Sequence, residues 1–162
     1  MTSGRILTKQ ALLVGLLLAA LFAGRRSAAQ TAGEPYDKAL ADSLGADEYG
    51  MRSYYLAILK TGSNKNDDPV KKKAAFGGHM ENIGRLSAEG KLVVAGPLEQ
   101  NPSQYRGIFI LAVNTREEAE ALLHTDPAVR EQYLAFELYK WYGSAALPKY
   151  LEYHSRIEQK KH

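Results

Sequence analysis

The chemistry open to this chain is bounded by four histidines, eighteen carboxylates and no cysteine. Lacking thiols, it has no cysteine nucleophile, no thiolate metal site and no disulfide. His79 is the imidazole best placed for proton transfer. It stands beside Met80 in a run where Phe76, Met80, Ile83 and Leu86 fall four, three and three apart, the spacing of one helix face. An imidazole there points toward a sheet, and imidazoles titrate near neutrality, which suits general acid–base work. The plainer alternative is a part-buried ring satisfied by a carbonyl.

Asp126 precedes Pro127 as Asp68 precedes Pro69. Each pair is a helix start, with Asp capping free amides and Pro in the first helical position. Capping alone explains Asp126, although one carboxylate has two oxygens and can do more. His124 lies two residues before Asp126, but two ligands are too few for a metal site and no third is near. His154, on a C-terminal helix, reads as core packing. Tyr139 and Trp141 alternate along a strand with Lys140 between them. They suit a core or dimer contact, or the wall of an apolar pocket with a charged group beside it. No phosphate-binding glycine loop, nucleophile elbow or His-Glu-x-x-His is present.

The elements that must position these residues follow from pattern and punctuation. Residues 51–61 are rich in Tyr, Leu and Ile and stop at Gly62, as a strand does. A helix starts at Asp68-Pro69 and closes at Gly90. Residues 92–95 and 107–113 are apolar strands. Thr115 with Glu118 three residues on forms a capping box that opens a second helix. A short helical turn follows Asp126-Pro127, residues 134–142 make a fourth strand ended by Gly143, and residues 147–160 make a tail helix with Leu147, Leu151, His154 and Ile157 in line. The order is βαββαβ, an α+β, ferredoxin-like pattern with an antiparallel four-stranded sheet and an extra C-terminal helix.

Residues 1–29 are of another kind. Arg5 and Lys9 precede an uncharged Leu/Ala-rich run, residues 11–23, and small residues follow at 27–29. That order predicts a secretory signal peptide, since a membrane span needs about 20 apolar residues. Arg25 and Arg26 fit it less well and leave a retained anchor as the alternative. Cleavage takes away four cations and no acid, which turns a formal net charge of +3 into −1. The basicity therefore belongs to targeting and is not a nucleic-acid footprint. Residues 30–50 read as a lead-in linker with a turn or two of helix within 36–44, and residues 51–160 as the folded domain.

Both alternating sets of the 107–113 strand are apolar, and so are both sets of the 51–61 strand. Such strands are expected where both sheet faces are covered. Two helices cover one face. The other is left to the tail helix or to a second copy of the sheet.

The residues Phe76-Gly-Gly-His79-Met-Glu-Asn-Ile83, then Gly90-Lys-Leu-Val-Val-Ala-Gly96-Pro97, resemble the YCII-related family. The likeness continues through Arg106-Gly-Ile-Phe-Ile-Leu111, Glu117-Glu-Ala119 and Asp126-Pro127-Ala128, and spans about residues 54–142. The resemblance implies a dimeric α/β barrel made of two ferredoxin-like halves, with a site built from a His and an Asp that correspond to His79 and Asp126. The wider superfamily implies small, often aromatic or lactone compounds as substrates, and suggests haem as a weaker third possibility. The expectation is a small exported enzyme, periplasmic or secreted, forming a homodimer and using a His79/Asp126 acid–base pair on a small cyclic or aromatic compound. Tyr139, Trp141 and Lys140 are its candidate binding residues. The residues require no metal and no organic cofactor, and after cleavage no membrane span remains. The rival reading is a non-catalytic dimeric module of the same fold that binds a small molecule or a protein.

Overall fold

Strand β1 (Met51–Thr61) lies inside the sheet because it is paired along both edges, antiparallel to β3 (Tyr105–Leu111) and to β4 (Leu134–Ser144). Strand β2 (Leu92–Pro97) closes the other edge on β3, giving the order β2-β3-β1-β4. Between the strands run α2 (Pro69–Ala88), α3 (Arg116–His124) and the one-turn α4 (Pro127–Arg130). Helix α1 (Lys38–Leu44) precedes the sheet, and a 3-10 turn (Leu147–Tyr150) leads into α5 (Leu151–Ile157). This computed structural model describes residues 35–160. The expected signal peptide lies outside the described residues, among which no helix is long and apolar enough to cross a membrane. The architecture is the α+β, ferredoxin-like βαββαβ arrangement with a C-terminal helix.

Alternation along the strands divides the apolar residues between two faces. Tyr55, Ala57 and Leu59 join Phe109, Leu111, Leu134 and Leu138 beneath Leu86 of α2, Leu122 and Leu123 of α3 and Val129 of α4. This is the main core. Tyr54, Ile110 and Val93 form a second cluster on the opposite face, with Leu56, Val94, Trp141 and Leu147 packed against it. The chain's own tail covers this second cluster in part. Leu147 lies on it, and the Tyr150 hydroxyl donates to the carbonyl of Val93. Tyr54 is thereby fully buried, with its hydroxyl donating to the Ser144 carbonyl at 2.8 Å. Burying such a side chain stabilises the fold by about 1.5–3 kcal/mol. Away from the tail the face stays open: Leu56 and Ile58 are partly exposed and Tyr139 is half-exposed.

Helix α2 begins as its sequence dictates. The Asp68 carboxylate accepts from the amides of Val70 and Lys71, and Gly90 closes the far end with a φ of +68°. Its buried stripe differs from the expected one. Met80 is 39% exposed, and the inward positions belong to Ala75, His79, Asn82 and Leu86, flanked by Phe76 and Ile83. The stripe is turned because His79 and Asn82 have polar partners on the connection between α3 and α4. A polar group with a partner can be buried without the cost of stranding it.

Two further boundaries move. Strand β4 runs through Gly143, which pairs with Arg52, and ends at Ser144. This glycine is a place of close approach, since a Cβ there would lie 2.2 Å from Cη2 of the Trp141 indole. The tail is a 3-10 turn followed by a helix of seven residues, not one helix over 147–160. His154 faces solvent there, with its ring edge to Tyr150 at 6.5 Å, and Ile157 is 79% exposed. The core role expected of His154 is therefore corrected.

Trp141 is the chain's one tryptophan and packs on Tyr54 with ring centroids 5.6 Å apart. Replacing Gly143 by Ala must push that indole aside, at a cost of about 1–3 kcal/mol for overpacking. Urea unfolding followed by tryptophan fluorescence is expected to show the lower midpoint together with an altered native emission spectrum. A native spectrum and midpoint equal to wild type contradict the packing described.

Candidate active site

Helix α2 and the cap of α4 bring His79 and Asp126 together across 47 residues of sequence: Nδ1 of His79 lies 2.6 Å from Oδ2 of Asp126. The carboxylate is almost wholly buried, at 1% exposure, and the imidazole side chain is 12% exposed. The second oxygen of Asp126, Oδ1, accepts from the Ala128 amide at 2.9 Å. One carboxylate thus caps α4 and holds the ring. The imidazole plane stacks on Phe109 at 5.8 Å with 13° between planes, and Phe76 meets it edge-on at 6.1 Å.

The chemistry follows from which ring atom is free. With Nδ1–H assigned as the donor to the carboxylate, Nε2 of the neutral ring is a bare acceptor. Nε2 has no hydrogen-bond partner among the described residues, and it is not among the sealed polar atoms. It is therefore not fully sealed, in keeping with the 12% exposure of the imidazole side chain. A carboxylate against Nδ1 fixes tautomer and ring orientation and stabilises the imidazolium formed when Nε2 takes a proton. The arrangement is that of an oriented acid–base group.

Local sequence explains how the helices come this close. A Cβ at Gly78 would lie 2.7 Å from Cγ of Pro127, so only glycine lets α2 pass over that ring at the adjoining position. Asn82, one turn beyond His79, is the other buried polar residue among those described. Nothing in the apolar periodicity signals it. Its spacing of three from His79 is the one available clue.

The remaining candidates lie elsewhere. Tyr139 and Trp141 are on the opposite face of the sheet from Phe109 and His79, opposite Leu56 and Tyr54 of β1. Lys140 is exposed, opposite Tyr55. Tyr139 belongs to a polar group on the open face. Its hydroxyl donates to Glu137 at 2.8 Å, and Lys60 donates to the other oxygen at 2.6 Å. These bonds, the Lys60 ammonium first and the Tyr139 hydroxyl second, hold the Glu137 carboxyl below its ordinary range. The same carboxylate raises Lys60 and Tyr139. His124 is exposed, with Phe136 edge-on at 5.5 Å. Among the described residues no three His, Cys, Asp or Glu gather as a metal site.

No protein-family model matches the chain, and no curated protein does. Among solved structures it is similar to the 5-chloro-2-hydroxyhydroquinone dehydrochlorinase of Burkholderia phenoliruptrix AC1100, solved in complex with 2,5-dihydroxybenzoquinone. The TM-score is 0.40 at 16% identity, over 53% of this chain and 92% of that one. A match this loose carries no residue role across.

The two duties of Asp126 separate by substitution. Asp126→Asn keeps an oxygen for the Ala128 amide, whereas Asp126→Ala loses the cap, worth about 1 kcal/mol. Both remove the charged partner of Nδ1; Asp126→Asn turns an NH2 toward the ring, from which Nδ1 can accept once the ring proton moves to Nε2, whereas Asp126→Ala leaves Nδ1 stranded at about 1–3 kcal/mol. Denaturant titration is expected to rank wild type above Asp126→Asn above Asp126→Ala. Equal stability of the two variants argues against the shared carboxylate.

Proposed function

We propose that this chain is a small enzyme in which His79 acts as general acid or base on a small cyclic or aromatic compound, with Asp126 orienting the ring. One observation carries the reading: Nδ1 is held at 2.6 Å by a buried carboxylate while Nε2 is left without a partner and not fully sealed. A ring with one nitrogen anchored and the other free can take a proton from a substrate and return it. The reaction class is proton transfer, as in isomerisation, elimination or hydrolysis. Phe76 and Phe109 flank the imidazole and favour a planar, largely apolar partner. The order of elements and the His/Asp pair support kinship with the YCII-related proteins.

The test is turnover of a panel of small lactones and substituted phenols by the purified protein lacking residues 1–29. His79→Ala is expected to cut turnover by about 10²–10⁴-fold, the usual contribution of a positioned acid or base. The variant leaves an oxygen of the buried Asp126 without its donor, at a cost of about 1–3 kcal/mol, so turnover is compared where circular dichroism shows it folded. Unchanged turnover in that variant sinks the proposal. Binding without conversion that survives His79→Ala favours the non-catalytic module.

The reading includes export directed by residues 1–29 and a homodimer with sheets face to face. Support for the dimer is the open part of the second sheet face, where Leu56, Ile58 and Tyr139 stay partly exposed beyond the reach of the tail. Leaving such side chains wet forgoes a good part of the 1.5–3 kcal/mol that each contributes on burial, roughly speaking. Sedimentation is expected to give twice the chain mass, and Ile58→Lys to give a folded monomer. A monomeric wild type shows instead that the tail is cover enough.

A further inference from the structure

We infer that Asn82, Arg85 and Thr125 form a clamp that sets the His79–Asp126 distance, which makes Asn82 and Arg85 positioning residues for the acid–base group. The helix face of α2 meets three consecutive residues of the α3–α4 connection in reverse order. Gly78 lies against Pro127, His79 bonds Asp126, and Asn82 and Arg85 bond Thr125. Positions 78, 79, 82 and 85 fall on one side of a helix. They face the point where α3 ends at the helical Thr125, the chain extends at Asp126 and α4 starts at Pro127.

The bonds are specific. Arg85 Nη2 donates to Asn82 Oδ1 at 2.7 Å and to Thr125 Oγ1 at 3.0 Å. The Thr125 hydroxyl lies 3.0 Å from Asn82 Oδ1 and 2.7 Å from the Leu122 carbonyl. Arg85 Nη1 is held in turn by Glu89 at 2.9 Å. Thr125 is covalently next to Asp126, so fixing its side chain to α2 fixes the carboxylate against the ring.

The amide of Asn82 shows which demand dominates here. Asn82 is 6% exposed, and its Nδ2 is a sealed donor without a hydrogen-bond partner among the described residues. Turning the amide over would place Nδ2 beside the Arg85 guanidinium, donor against donor. The charged Arg85 donor holds Oδ1 where it is, with the Thr125 hydroxyl beside it. A buried unpaired donor is uncommon and calls for such a reason. The clamp supplies it, since the Arg85 guanidinium, which can only donate, requires the oxygen on that side.

The inference deepens the acid–base reading of His79, but its test needs no substrate and so fails or succeeds independently of turnover. The readout is the ¹⁵N spectrum of the His79 ring in the full chain, assigned by comparison with His79→Gln. In wild type the neutral ring is expected to carry its proton on Nδ1, facing Asp126. Arg85→Met and Thr125→Val, both at exposed positions, should raise the share of the Nε2–H tautomer by about tenfold, the lower end of what partners behind a metal-bound histidine contribute. Thr125→Ser keeps the hydroxyl and should restore the wild-type spectrum. A wild-type tautomer ratio in either Arg85→Met or Thr125→Val overturns the clamp, as does loss in Thr125→Ser equal to that in Thr125→Val. If Thr125→Val does not fold, Arg85→Met alone decides.

Discussion

A carboxylate that is only 1% exposed must find donors for both its oxygens, and the arrangement around Asp126 follows from that requirement. One oxygen takes the Ala128 amide at the start of α4, which is what a capping aspartate does in any helix. The other needs a donor from outside its own turn. His79 supplies it, and this forces a polar residue onto the inward stripe of α2 and a glycine beside it where Pro127 passes. An interaction needed for folding is thus also the one that leaves Nε2 oriented and free. Stability and chemistry draw on the same hydrogen bond.

The sheet gives that bond its platform. Phe109 sits on β3 between Ala57 of β1 and Ala95 of β2, small neighbours that leave its ring face clear for the imidazole. Phe109 thus lies on an internal strand, since β3 and β1 are each paired on both edges. The opposite face carries its own polar group, Lys60–Glu137–Tyr139, screened from the first by the thickness of the sheet. Its members are about one-third to one-half exposed, so in an isolated chain solvent screens the ion pair and its net contribution is small.

How much of this was legible depended on how local the signal is. The first strand, both Asp-Pro helix starts and the βαββαβ order are written in neighbouring residues, and the structure has them. The stripe of α2 is not local. Counting apolar spacing selects Met80, whereas the fold selects Asn82, because the partner of Asn82 is Thr125, 43 residues away. Gly143 reads as a strand end only if the indole of Trp141 is ignored. The tail looks amphipathic over its whole length, yet only its start finds a surface, since Leu147 and Tyr150 already reach the edge of the sheet. For the site, the Asp126-Pro127 dipeptide announces a cap and says nothing of His79. Only the likeness to a family placed the two together beforehand.

What the site can select follows from its composition. Apart from the sealed Nδ2 of Asn82, the polar atoms beside the ring, those of Asp126 and the tie at Asn82, Arg85 and Thr125, are occupied in holding one another. Nε2 is left as the ring atom without a partner, with Phe76 and the buried Phe109 packed on the imidazole. On the proposed acid–base reading, one proton acceptor among aromatic rings distinguishes ligands by flatness and by where an acidic hydrogen sits, more than by a pattern of hydrogen bonds. Discrimination of that kind is modest, about 1–3 kcal/mol for a group the size of a methylene. On that proposed reading, such a site favours a class of related small rings over recognition of a single compound.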